Sequence, residues 1–192
     1  MKAIVTFQGF TEDLSLNTGT ERLFREVIRK HVRRDLTCLD PRPWDADTNA
    51  IVAYLARSGV SECAVVGYSY GGGYTSQKFA HACLKHGITI RLMMLCDPVY
   101  RPLWLPAWGL LQPFAIRSLM PRCAKIKVPR SVSTVQWVRQ TISLPQAHNL
   151  RAEWNQTKIH PPQILPYGHT AIDESPEWFK LVQGQLTAFV QQ

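Results

Sequence analysis

Residues 62–73 read Glu-Cys-Ala-Val-Val-Gly-Tyr-Ser-Tyr-Gly-Gly-Gly. The apolar run at 63–66 suits a short buried strand, which feeds directly into Gly67-Tyr68-Ser69-Tyr70-Gly71, and residues 74–85 have helical character. Strand, Gly-x-Ser-x-Gly and helix in that order form the pattern that presents a serine hydroxyl at a sharp turn. The spacing has a steric cause. Ser69 must hold a strained backbone so that its hydroxyl projects past the strand end, and side chains two residues away would collide with the turn. Gly67 and Gly71 remove that bulk. The first amides of the following helix are then aimed at any negative oxygen that forms beside Ser69. The same residues also suit a plainer structure, a glycine-rich turn with a capping serine.

Working outward, residues 2–7 are a β-prone run ending at Gln8-Gly9-Phe10, and residues 35–39 are a second strand closed by Asp40-Pro41-Arg42-Pro43. Between them a helix opens with Thr18 and Glu21 spaced as a capping box. Its buried face comprises Leu23, Phe24, Val27, Ile28 and Val32. Another helix opens near Asp47 and Thr48, buries Ile51, Val52 and Leu55, and stops at Gly59. After Ser69 the helix ends at Gly87, and residues 88–96 are apolar at nearly every position. Near-continuous apolar strands alternating with helices imply a parallel sheet covered on both faces. The expected fold class is therefore α/β, a three-layer sandwich with a mostly parallel central sheet. Ligand sites in such sheets gather at the carboxyl ends of strands, here Gln8-Gly9-Phe10, Asp40, Ser69 and Asp97.

From 100 to 129 the regularity fails. Prolines at 102, 106, 113, 121 and 129 punctuate a stretch containing Trp104, Trp108, Leu111 and Phe114. A loop this long in a compact domain is functional or carries small helices of its own. Residues 131–138 form a strand, 140–158 have no clear assignment, and 159–165 form an edge strand despite Pro161 and Pro162. That strand leads to Tyr167-Gly168-His169. The last helix has Ser175 as cap, Pro176 at its first position, and Trp178, Phe179, Val182, Leu186, Phe189 and Val190 as its buried stripe.

The 192 residues, 45% hydrophobic, read as one domain spanning 1–192 with a lid or cap-like insertion at about 100–129. Neither a secretory signal nor a membrane-length apolar stretch is evident, so the expected location is cytoplasmic. Five cysteines, at 38, 63, 83, 96 and 123, form no C-x-x-C pair and read as reduced core thiols, not as a metal site. The net charge of +8 could serve nucleic acid or an anionic membrane. Its basic residues are scattered, with Lys125 and Lys127 in a late loop and Arg22, Arg25, Arg29, Lys30, Arg33 and Arg34 on a solvated helix face. No nucleic-acid motif accompanies them, and no nucleic-acid partner is expected.

A serine hydroxyl needs a base to take its proton, and imidazole is the usual one. Of six histidines, His31, His81 and His86 belong to helices, and His148 and His160 to the unassigned region. His169 follows a glycine in a strand-end loop on the same sheet edge as Ser69. The imidazole in turn needs an orienting carboxylate. Asp97 ends the strand after the serine helix and is followed by Pro98; it also suits a plain strand-end turn. Glu153 is the other acid to consider, and Asp173 reads as a cap of the last helix. A glycine at position 9 lets backbone approach a substrate, and the amides of Phe10 and Tyr70 would then pair as oxyanion donors.

With these residues in place the chain resembles a small α/β-hydrolase over nearly its full length. The order Ser69, Asp97, His169 is similar to that family's nucleophile, acid, histidine order. Gln8-Gly9-Phe10 looks like its His-Gly-x oxyanion turn with glutamine replacing histidine. Leu95-Cys96-Asp97-Pro98 is similar to the segment carrying the acid in pancreatic-type lipases, whereas most members place the acid one strand later. The family's first two strands have no counterpart, which leaves a minimal core of cutinase size.

The resemblance implies a serine esterase or lipase working without cofactor or metal through Ser69, His169 and Asp97. A thioesterase or amidase would use the same residues. A non-catalytic α/β binding module, with Gly71-Gly72-Gly73 as a phosphate turn, is the reading from a different class; the absence of G-x-G-x-x-G counts against it. The expected ligand is a small-molecule or lipid ester, with Gly9, Tyr68, Trp104, Trp108 and Leu111 as substrate contacts. The insertion's tryptophans and basic residues would also suit peripheral contact with anionic lipid.

Overall fold

The computed structural model describes residues 1–10, 12, 18–100 and 125–192. The expected contacts Trp104, Trp108 and Leu111, together with Cys123 and nearly all of the expected insertion, lie outside these residues.

Strand β1 (Lys2–Phe7) pairs with β2 (Leu36–Cys38) on one side and β3 (Glu62–Tyr68) on the other. Beyond β3 come β4 (Thr89–Cys96) and β6 (Val132–Arg139), and two short strands, β8 (Lys158–Ile159) and β9 (Gln163–Ile164), both pair with β6. The resulting seven-stranded sheet runs β2-β1-β3-β4-β6-β8, with β9 also on β6. Every ladder between these strands is parallel. The α/β expectation holds.

Alternation along the strands divides the core between two faces. Ala3, Val5 and Phe7 pack with Val52 and Leu55 of helix α2 (Thr48–Arg57) and Phe79, Ala80 and Cys83 of helix α3 (Ser76–Lys85). Ile4, Ala64, Val66 and Met94 face the other way. They pack against Leu23 and Phe24 of helix α1 (Gly19–Glu26) and Trp178, Val182 and Leu186 of helix α4 (Pro176–Gln191). Each of the larger side chains, Val, Leu, Ile, Phe and Met, contributes about 1.5–3 kcal/mol when fully buried, which gives the helices fixed seats on the sheet.

The helix starts follow the capping residues. Thr18 Oγ1 accepts from Glu21 N at 3.2 Å, Asp47 accepts from Asn49 N and Ala50 N, and Ser175 accepts from Trp178 N with Pro176 behind it. Two expectations need correction. Helix α1 stops at Glu26, and a 3₁₀ turn at Ile28–His31 follows, leaving Val32 56% exposed. The change from 3.6 to 3.0 residues per turn carries Val32 off the buried face. Lys125 and Lys127, expected in a loop of the insertion, stand on strand β5 (Lys125–Val128). That strand pairs with β7 (Asn149–Ala152), inside the stretch without assignment, in a separate two-stranded sheet. Among the described residues no helix is long and apolar enough to cross a membrane.

Candidate active site

Strand β3 delivers Ser69 at φ 52°, a left-handed backbone that only glycine adopts freely. A π-helical turn, Gly71–Thr75, then leads into α3. The steric role of the flanking glycines is visible in the packing. A Cβ on Gly67 would lie 2.6 Å from Ser76 Oγ and 2.7 Å from Gly72 Cα, and one on Gly71 would lie 2.1 Å from the Gln8 carbonyl oxygen. Gly71→Ala should therefore lower stability by at least the roughly 1–3 kcal/mol of an overpacked core, measured by urea unfolding. A full-length transition at the wild-type midpoint would contradict this packing.

Strand β4, next to β3, leads directly into Asp97, whose φ is 42°. The two turns are bonded to each other through Val99 N and Ser69 O at 2.9 Å. Asp97 is fully buried. Its carboxylate accepts from Gln140 N at 3.2 Å, Gln140 Nε2 at 3.1 Å, Ala147 N at 3.2 Å and His169 Nδ1 at 2.6 Å. Such donors replace the water that a buried charge has lost.

His169 comes from the turn after β9 and is 6% exposed. Its Nε2 lies 2.8 Å from Ser69 Oγ. Since a carboxylate only accepts, the proton of neutral His169 belongs on Nδ1, which leaves Nε2 to accept from the serine hydroxyl. The backbone of His169 is held at both ends: its N–H donates to Ser143 Oγ at 2.8 Å, and its carbonyl accepts from Tyr68 Oη at 2.7 Å. The Tyr68 ring lies 5.4 Å from the imidazole, centroid to centroid.

Ser69, His169 and Asp97 are thus brought into one hydrogen-bonded line. Tyr68, expected to touch substrate, is 4% exposed, with its hydroxyl committed to His169. Strand parity explains this: Tyr68 falls on the same face as Ala64 and Val66, against α1 and α4. Asp173 does not cap the last helix; Ser175 does, and Asp173 is buried beside Glu12. Glu153 is exposed beyond β7. Burial lowers the His148 pKa to about 4, and Nδ1 of this neutral ring accepts from Tyr100 N at 3.2 Å. His160 supplies its carbonyl to Trp137 Nε1.

The Gly9–Phe10 turn abuts the serine, since a Cβ on Gly9 would meet the Tyr68 ring at 2.8 Å and Ser69 Cβ at 3.2 Å. The Gly9 amide itself donates to Glu12 Oε2 at 2.6 Å. Phe10 is 49% exposed and contacts Trp44 and Tyr70, with ring centroids 5.0 and 6.3 Å away. Gln8 is fully buried, and neither polar atom of its side chain has a hydrogen-bond partner among the described residues.

Sequence reasoning missed Gln140 and Ser143. Gln140 binds Asp97 through N and Nε2, while its Oε1 accepts from Ile142 N and Ser143 N and so shapes the loop that supplies Ser143 to His169. The one available signal was position, because Gln140 directly follows β6 at the same sheet edge. Among the described residues no group of three or more His, Cys, Asp or Glu is placed to hold a metal ion.

No family model matches the chain, and no curated protein matches it. Among solved structures it is similar to the Vlm2 thioesterase domain with genetically encoded 2,3-diaminopropionic acid bound with a dodecadepsipeptide. That similarity has a TM-score of 0.48 and 13% identity, over 95% of this chain and 91% of that one. The present chain is an α/β fold whose parallel sheet brings Ser69, Asp97 and His169 together at one edge.

Proposed function

We propose that the chain is a serine hydrolase of carboxylic esters, acting through Ser69, His169 and Asp97. The observation that carries this reading is the line from Asp97 Oδ2 to His169 Nδ1 at 2.6 Å and from His169 Nε2 to Ser69 Oγ at 2.8 Å, with Ser69 on a strained strand-end turn. As Ser69 Oγ attacks the acyl carbonyl, its proton passes to His169 Nε2, and Asp97 stabilises the imidazolium. The amides of Phe10 and Tyr70 stabilise the oxyanion. Collapse expels the alcohol, which takes the proton from His169, and leaves an acyl-serine. Water then attacks the acyl carbon, gives a proton to His169, and releases the acid as that proton returns to Ser69.

The chemistry does not depend on the leaving group, so thioesters and amides belong in the same assay. A fluorophosphonate probe tests the core of the reading. It should attach covalently to the native protein, and peptide mapping should place the adduct on Ser69. Adduct on another residue, or none, would remove the hydrolase reading.

An apolar substrate is also proposed. Phe10 is half-exposed beside the serine turn, in contact with Trp44 and Tyr70, and such surfaces bind acyl or aryl groups. Medium-chain p-nitrophenyl esters should therefore be turned over faster than the acetyl ester. Turnover of acetyl but not of medium-chain esters would reject the apolar site. Trp104, Trp108 and Leu111 belong to the same proposal.

A further inference from the structure

Beside the serine–histidine line, on the face of the sheet that carries α1 and α4, lies a second polar cluster. Glu12, from the segment after β1, and Asp173, from the 3₁₀ turn Ile172–Glu174, both stand at the start of α1, where Thr20 bonds to Glu12 and a Cβ on Gly19 would collide with Asp173 Oδ2. Two neighbouring buried carboxyl groups can share a hydrogen bond only when one of them keeps its proton. Asp173 is 4% exposed.

The pair joins parts of the chain that the proposed mechanism needs held in register. Glu12 Oε2 accepts from Gly9 N at 2.6 Å, immediately before the proposed oxyanion donor Phe10. Its two oxygens also accept from Thr20 Oγ1 at 2.7 Å and Thr20 N at 3.0 Å, at the start of α1. Asp173 lies four residues beyond His169, in a turn whose Ala171 N and Ile172 N both bond to Gly168 O. The first residue of α1 presses on it, for a Cβ on Gly19 would lie 2.1 Å from Asp173 Oδ2. Glu12 thus ties the Gly9–Phe10 turn to the start of α1, and Asp173 stands against that same start from the turn that follows His169.

We propose that Glu12 and Asp173 are positioning residues that form a proton-sharing latch. It holds the Gly9–Phe10 turn against the His169 loop while one carboxyl is protonated, and opens when both are ionised. The consequence for catalysis rests on the serine hydrolase reading; the latch itself does not.

The surroundings favour the shared proton. Burial first, and then the charge of Glu12, push the Asp173 carboxyl up to about 8; a bond to its own backbone works against this, and Glu174 adds to it. Glu174 pairs with Arg22 at 3.1 Å, and Glu21 of α1 adds negative charge near Glu12. From the sheet, Tyr68 and Cys96 face the pair, both with pKa values raised chiefly by burial, and Asp97 acts on both of them. Among the described residues no salt bridge reaches Glu12 or Asp173.

The sign follows from linkage. The folded value of Asp173 exceeds the ordinary 3.8, so between about pH 4 and 8 the folded protein holds a proton that the unfolded chain has released. Stability from this group is complete below that window and is lost as pH rises through it. Asp173→Asn keeps a donor toward Glu12 and removes the titration.

The test compares wild type and Asp173→Asn in two measurements across pH 4–10, melting temperature and the rate of fluorophosphonate labelling. The melting curves should diverge as pH rises, with the variant the more stable at pH 8. Wild-type labelling should fall about tenfold per pH unit above the transition, while the variant keeps its rate. Parallel melting curves would overturn the latch, and so would an alkaline fall in labelling that both proteins share. If the probe labels neither protein, the hydrolase reading fails and the melting comparison alone decides the latch. Should Asp173→Asn not fold, Glu12→Gln, which keeps an acceptor for Gly9 and a donor for Asp173, is held to the same outcomes.

Discussion

Ser69→Ala should abolish fluorophosphonate labelling and lower ester turnover by about 10⁴-fold or more. Alanine removes the only atom that forms the proposed acyl bond and leaves the strand, the turn and His169 in place. What remains would be the contribution of binding and of the backbone donors, which act on a water attacking in place of the serine. The strained backbone at φ 52° stays in the variant, so its melting temperature should remain near that of wild type. Loss of labelling together with loss of folding would not count in favour. Retained labelling in a folded Ser69→Ala protein would reject the assignment outright.

Asp97→Asn should lower kcat by about 10⁴-fold, the effect of the same exchange in the template serine–histidine–aspartate triad. The amide that replaces Oδ2 is a donor facing His169 Nδ1 at 2.6 Å. The imidazole must then put its proton on Nε2, where it points at Ser69 and cannot receive the hydroxyl proton. A second cost appears in stability. Gln140 Nε2 now donates to the side that has become an NH₂, and a buried donor facing a donor costs about 1–3 kcal/mol. The variant should therefore melt at a lower temperature than wild type as well as turn over slowly. Near-normal activity would move the carboxylate role elsewhere, although Glu153, the other acid considered, is exposed beyond β7.

The scaffold could be read before the structure because its signals are local. Thr18, Asp47 and Ser175 stand where helices begin, and Gly59 and Gly87 where they end, both at positive φ. Apolar runs at β3 and β4 left no choice but a buried parallel sheet, and strand ends then bring Ser69 and Asp97 together. What stayed hidden is non-local or turns on fine geometry. Val32 fits a helical stripe until the helix tightens at residue 28. Lys125–Val128 alternates exposed and buried but is only four residues long, too short to stand out after a proline-rich stretch. Tyr68 was within reach of reasoning, since counting by twos from Ala64 puts it inside. Gln140 and Ser143 were not, because their roles depend on a loop that folds back to Asp97 and His169. Asp173 resembles a helix cap in sequence, and only its burial beside Glu12 gives it a different part.

Neither residue 69 nor residue 97 is a glycine, yet both have left-handed backbones at φ 52° and 42°. Each such position costs on the order of 1–3 kcal/mol, against a total of about 5–15 kcal/mol for a typical domain. A descendant released from any duty to process a substrate would find easy gains in durability at these two points, because glycine fits both without steric conflict. Glycine at either point would relieve the strain and remove a member of the proposed triad, so durability and the proposed chemistry pull in opposite directions there.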